Sequence, residues 1–108
     1  MRLGVTEYID CAHFLPGHLK CGALHGHTYK IEVTIDGQAR DGMVIDFGDL
    51  KQAVREVLGH YDHRSWNDFL AYPSVENICE LLSARLKERL PFSVTLRVWE
   101  GHGKWAEL

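Results

Sequence analysis

The order of predicted elements, ββααββ, places this chain in the α+β class, with two helices on one face of a four-stranded antiparallel sheet. Three observations carry that reading. Two long runs near the N-terminus alternate polar and apolar residues with period two. Two stretches between positions 46 and 90 repeat apolar residues at helical spacing. A third alternating run and a short one close the chain.

Residues 3–13 set Val5, Ile9, Cys11 and His13 on one face and Thr6, Tyr8 and Asp10 on the other, which predicts a strand. Residues 14–24 contain Pro16-Gly17 and Cys21-Gly22 and read as a loop. Residues 25–36 predict a second strand, with His25, His27, Tyr29, Ile31, Val33 and Ile35 in phase. Asp36-Gly37 and Asp41-Gly42 mark turns. Asp46 is placed as a helix N-cap, and Asp49 puts negative charge where the helix dipole favours it. Phe47, Leu50, Val54, Val57 and Leu58 follow at helical spacing, and Gly59 ends the helix. A connection over 60–73 holds Tyr61-Asp62-His63-Arg64 and Trp66-Asn67. Ser74 caps a second helix with the stripe Val75, Ile78, Leu81, Leu82, Leu86 and Leu90, and Pro91 follows it. Residues 93–100 form a third strand with Val94, Leu96, Val98 and Glu100 in phase, and an edge strand around Trp105 completes the sheet.

With 108 residues the chain reads as one domain, 1–108. A core of that size is modest, so assembly into an oligomer would add stability. A net charge of −3 with no basic stripe excludes a nucleic-acid binder. No apolar run reaches membrane-spanning length, and Met1-Arg2-Leu3-Gly4-Val5-Thr6-Glu7 has no signal-peptide core, so a cytoplasmic protein is expected. Cys11, Cys21 and Cys79 cannot all pair and are expected to stay reduced. Cys11 and Cys79 fall in apolar patterns and read as core thiols.

The chemistry concentrates in Cys21-Gly-Ala-Leu-His25-Gly-His27. Residues i and i+2 of a strand share a face, so both imidazoles aim at one point, and His13 joins them if the first two strands pair. Three neutral imidazoles suit zinc and leave a fourth position for substrate or water. Cys21, in a glycine-flanked loop beside that site, is a candidate base or nucleophile, a fourth zinc ligand or an inert thiol. Asp62-His63 can pair a carboxylate with an imidazole, but adjacency alone favours a polar loop pair. Glu100 points inward at a strand end and needs partners there: adjacent N–H donors on a ligand, or an ion pair with a neighbouring chain. His18, His60 and His102 have no partner at a useful spacing and read as surface histidines. Trp66, Trp99 and Trp105 read as core or subunit contacts.

Taken together the chain resembles the family of 6-pyruvoyl-tetrahydropterin synthase and 6-carboxytetrahydropterin synthase. The resemblance rests on Ala12-His13, Cys21-Gly-Ala-Leu-His25-Gly-His27, Val44-Ile45-Asp46-Phe47 with Leu50-Lys51, Asp62-His63 with Asn67, Pro73-Ser74-Val75-Glu76-Asn77 and Val98-Trp99-Glu100. The Cys-x-x-x-His-Gly-His element is the specific one. The resemblance implies a tunnelling fold, with sheets joined into an oligomeric barrel as a trimer or a stacked hexamer. It implies zinc on His13, His25 and His27, Cys21 as proton-transfer base, Asp62 and His63 as its relay from a neighbouring subunit, and Glu100 as pterin anchor. The implied substrate is 7,8-dihydroneopterin triphosphate. The short Cys-to-His gap is similar to the carboxy branch, which releases acetaldehyde and triphosphate and feeds queuosine and deazapurine synthesis. The pyruvoyl branch, a non-catalytic zinc-stabilised pterin-binding module and a structural zinc domain are the alternatives. An aldolase branch of the family is expected to carry glutamate in place of the cysteine. Gly101 stands where the family has threonine, Tyr61 and Trp66 where it has leucines, Ser74 where it has threonine, and Cys11 where it has a small residue.

Overall fold

The computed structural model describes residues Met1–Leu108. Four strands, β1 (Arg2–His13), β2 (His25–Asp36), β3 (Ser93–Glu100) and β4 (Trp105–Glu107), form one sheet in the order β1-β2-β3-β4, antiparallel throughout. Two helices, α1 (Phe47–Leu58) and α2 (Val75–Arg89), lie between β2 and β3 in sequence. The α+β architecture is the one the residue pattern predicts. The 60–73 connection carries one element the pattern did not signal, a 3-10 turn at Trp66–Asp68 capped by Ser65.

Local chemistry sets the boundaries. The Asp46 carboxylate accepts from the amides of Gly48 and Asp49 and starts α1. Ser74 accepts from the Asn77 amide and starts α2. Gly59 ends α1 in the right-handed region, at φ −60°, so its freedom to go left-handed is not what stops the helix. The helices cover one sheet face. Leu50, Val54 and Leu58 of α1 and Ile78, Leu82 and Leu86 of α2 are buried against Ile9, Ile31, Val33, Ile35, Leu96 and Val98. Each such side chain contributes about 1.5–3 kcal/mol by leaving water. Truncating Leu82 to alanine is expected to cost about 2–5 kcal/mol.

The other sheet face is polar and carries its own ladder of charges. Lys30 pairs with Glu32 at 3.5 Å, Arg97 with Glu107 at 3.0 Å, and the Trp99 indole donates to Glu32 at 2.9 Å. One end of the sheet matters most for function. There β1 finishes, β2 begins and β3 finishes, and their core-facing side chains are no longer aliphatic.

Candidate metal centre

Register builds the site. His13 lies directly opposite His25, and Cys11 opposite His27. Facing residues of an antiparallel pair hold their Cβ atoms roughly 4.5–5.5 Å apart. His27 is one in-phase step behind His25. One ring nitrogen from each histidine falls within 4.8 Å of the others. The spacing predicted this convergence, and the pairing supplies it.

Hydrogen bonds fix the tautomers. The Nδ1 of His13 sits 2.8 Å from the Pro73 carbonyl, and the Nδ1 of His25 sits 2.7 Å from the Ala23 carbonyl. A carbonyl only accepts, so each Nδ1 carries the proton and each Nε2 turns a lone pair inward. Those two Nε2 atoms are 3.1 Å apart. The Nε2 of His27 is buried with no hydrogen-bond partner. Two lone pairs facing each other in that site, with the His27 Nε2 beside them, have nothing to balance them without a cation, and neutral imidazoles whose Nδ1 is held by a backbone carbonyl, as in His13 and His25, are donors a divalent metal takes. The residues therefore fit a metal ion. The motif Pro73-Ser74-Val75-Glu76-Asn77 supports the centre from outside. The Asn77 side chain donates to the Tyr72 carbonyl at 2.8 Å while its amide donates to Ser74, and this steadies the turn that presents the Pro73 carbonyl to His13.

Glu100 comes from β3, opposite Tyr29. Its carboxylate oxygens lie 3.7 Å from His27 Nε2 and 4.0 Å from His13 Nε2. Burial lowers the pKa of His27, and the nearby Glu100 charge only partly offsets that. Lys104 reaches the same carboxylate at 3.4 Å across the tight turn to β4. Gly101 in that turn has φ +62°, which is why a glycine fits where a threonine would be strained.

Asp62 and His63 do pair. The His63 Nδ1 is 2.9 Å from the Asp62 carboxylate, and the His63 backbone has φ +63°. Burial pushes the Asp62 carboxyl up. Hydrogen bonds from the Asp10 amide and the Arg55 guanidinium, with the His63 ring beside it, outweigh burial and hold it below the usual range. The segment runs along the free edge of β1: the His63 amide donates to Asp10 and the Ala12 amide to Arg64. His63 itself is 78% exposed. It shares with His27 a groove of about 540 Å³ that Asp10, Gly26, Thr28 and Arg64 also line.

Cys21 is half-buried in the 14–24 loop, outside the three-donor cluster. Burial pushes the Cys11 and Cys79 thiols up to about 11, which suits core thiols.

The 6-pyruvoyl tetrahydropterin synthase family model matches residues 2–108. The chain belongs to the 6-pyruvoyl tetrahydropterin synthase family. A protein of Archaeoglobus fulgidus, provisionally named 6-carboxy-5,6,7,8-tetrahydropterin synthase, is 42% identical over 100% of this chain and 95% of its own length. The dihydroneopterin monophosphate aldolase of Pyrococcus furiosus is 40% identical over 79% of this chain and 77% of its own. The solved structure of Caenorhabditis elegans 6-pyruvoyl tetrahydropterin synthase superposes with a TM-score of 0.89 at 20% identity, covering 100% of this chain and 94% of that one. The fold is thus the tunnelling fold of the pterin synthases.

Within this family member, one chain brings together His13, His25, His27 and Glu100, and separately Asp62 with His63. Cys21 joins neither group within 4.8 Å of the metal donors. Three residues escaped the sequence reading. Arg55 donates to Asp62 from α1 at 3.2 Å, and nothing in the helical stripe signals it. Asn77 supports Pro73, although its place in a capping motif was a usable sign. His18, read as a surface histidine without a partner, is exposed but does have partners: the Lys20 and Cys21 amides, at 3.2 and 2.9 Å. No helix of the chain is long and apolar enough to cross a membrane.

Proposed function

We propose that this chain is a zinc-dependent lyase that converts 7,8-dihydroneopterin triphosphate to 6-carboxy-5,6,7,8-tetrahydropterin, releasing acetaldehyde and triphosphate. The observation that carries the proposal is the inward-facing set of imidazole lone pairs with an acidic acceptor, Glu100, beside them. The full-length relative from Archaeoglobus fulgidus supports the carboxy branch.

His13, His25 and His27 would hold zinc, and a metal there would supply Lewis-acid chemistry toward the side-chain hydroxyls of the substrate and the neighbouring carbon–hydrogen bond. Glu100 accepts from the paired N–H donors of the pterin edge, a bidentate contact that orients the ring. Cys21 takes the acidified proton as a thiolate. Asp62 keeps His63 oriented and basic, so the pair passes that proton onward. As the family resemblance implies, the Asp62–His63 pair that serves Cys21 would come from a second copy in a trimer or stacked hexamer. The product would feed queuosine and deazapurine synthesis in the cytoplasm.

A second reading comes from the 40% identity to the Pyrococcus furiosus aldolase, which would make the substrate a monophosphate. The test is mass-resolved product analysis of zinc-loaded protein given 7,8-dihydroneopterin triphosphate or the monophosphate. Acetaldehyde with the 6-carboxy product supports the proposal. A 6-pyruvoyl product without acetaldehyde moves the chain to the pyruvoyl branch, and turnover of the monophosphate alone moves it to the aldolase. No turnover with zinc bound sinks the lyase reading and leaves a pterin-binding module.

A further inference from the structure

Residues 14–24 form no helix or strand, so the backbone of Cys21 is placed only by the individual bonds of its loop. Those bonds converge on His18. Pro16-Gly17, with Gly17 at φ +80°, makes a turn closed by the His18 amide on the Leu15 carbonyl at 3.1 Å. The Leu15 amide reaches across to the Cys21 carbonyl at 2.8 Å. The amides of Lys20 and Cys21 have no backbone acceptor. Both point at the Nδ1 of His18, at 3.2 and 2.9 Å. An Nδ1 that accepts carries no proton, so His18 is held as the tautomer protonated at Nε2. Gly22 completes the loop. A Cβ there would come 2.5 Å from the His18 carbonyl oxygen, so the chain folds back onto His18 as only glycine allows.

We propose that His18 is a positioning residue: its Nδ1 gathers the two amides that set the backbone of Cys21 and so fixes where the thiol points. This rests on the reading of Cys21 as the proton-transfer group. The i to i+2 and i+3 bonding pattern is the one asparagine side chains make in turns. His18→Asn should therefore keep the loop, and His18→Ala should lose it.

The experiment uses the full-length zinc-loaded protein. Alkylation of Cys21 by iodoacetamide is followed by mass spectrometry, alongside kcat, KM and zinc content. Cys11 and Cys79 are buried and serve as internal controls. The expected result for His18→Ala is an altered Cys21 alkylation rate, by about threefold or more, and a kcat about tenfold lower. KM and zinc content should hold, in line with loss of two ordinary hydrogen bonds. His18→Asn should stay within about threefold of wild type in both. Wild-type alkylation in His18→Ala, or an asparagine variant as impaired as the alanine one, overturns the proposal. If Cys21→Ala itself keeps full turnover, the role of Cys21 fails, and His18 is then judged by alkylation alone.

Discussion

The candidate metal donors and the proposed proton-transfer residues, Cys21 and His63, are held in opposite ways. His13, His25 and His27 stand on paired strands, where ladder hydrogen bonds fix the backbone and a carbonyl fixes each of two rings. Cys21 and His63 stand on segments tied down mostly by single bonds from side chain to backbone and backbone to edge strand. Three ring nitrogens must be held together to bind a metal, and a rigid frame keeps them there. On the proposed function the proton carriers would meet a substrate and a second chain, and the loop that carries Cys21 is set by a few side-chain bonds rather than by a ladder.

The sharpest break in that comparison is His13→Ala. It removes a donor that is 1% exposed and leaves His25 facing an empty position. Zinc is expected to be lost altogether on dialysis, and turnover with it, as read by metal analysis and by product formation. Cys21→Ala comes next. If the loop is separate from the frame, zinc content stays at the wild-type level while kcat falls by about 10²–10⁴, the usual scale for removing a general acid–base group. Loss of zinc in Cys21→Ala would show that the thiol belongs to the frame as a fourth ligand.

Asn77→Ala sharpens the comparison from the frame side. Asn77 touches no metal donor and acts only by steadying the turn that offers the Pro73 carbonyl to His13. Outer partners of this kind change metal affinity by about 10–100-fold. A competition assay with a zinc chelator should find a loss of that order, with the helices intact by circular dichroism. Unchanged zinc affinity would mean that strand pairing alone orients His13.

The same division explains what was legible in the sequence. Period-two phasing put His25 and His27 on one face and His13 on the matching face of its own strand, because strand geometry is a local property. The pairing of His13 with His25 followed from the alternation and the loop between them. The Asp62–His63 contact occurs where the His63 backbone is left-handed, a conformation that the residue pattern does not signal. The bonds of His18 arise within a loop whose path the residue pattern does not determine, and Arg55 reaches Asp62 from the rim of a helix. Long-range side-chain contacts to loops leave no periodic trace, so they went unread.

The smallest effect tests the loop side of the comparison by pH. The Asp62 carboxylate accepts from the Asp10 amide and the Arg55 guanidinium, with the His63 ring 2.9 Å away, and its folded pKa is held below the usual carboxylate range. The folded state therefore favours the ionised form. That stability is fully present above the unfolded value of about 3.9 and is lost as pH falls through the lower folded value. Arg55→Ala removes one charged donor, from a side chain that is 41% exposed. The loss at neutral pH should then be about 0.5–1 kcal/mol, screened as surface ion pairs are. The Asp62 carboxyl should titrate higher, so acid unfolding should begin at a higher pH. Urea unfolding at neutral and acidic pH, with the carboxyl carbon of Asp62 followed by NMR, reads both. An Asp62 titration unmoved by Arg55→Ala would show that the Asp10 amide and the His63 ring alone hold the carboxylate, and that the His63 segment is fastened to β1 as firmly as the histidines are to theirs.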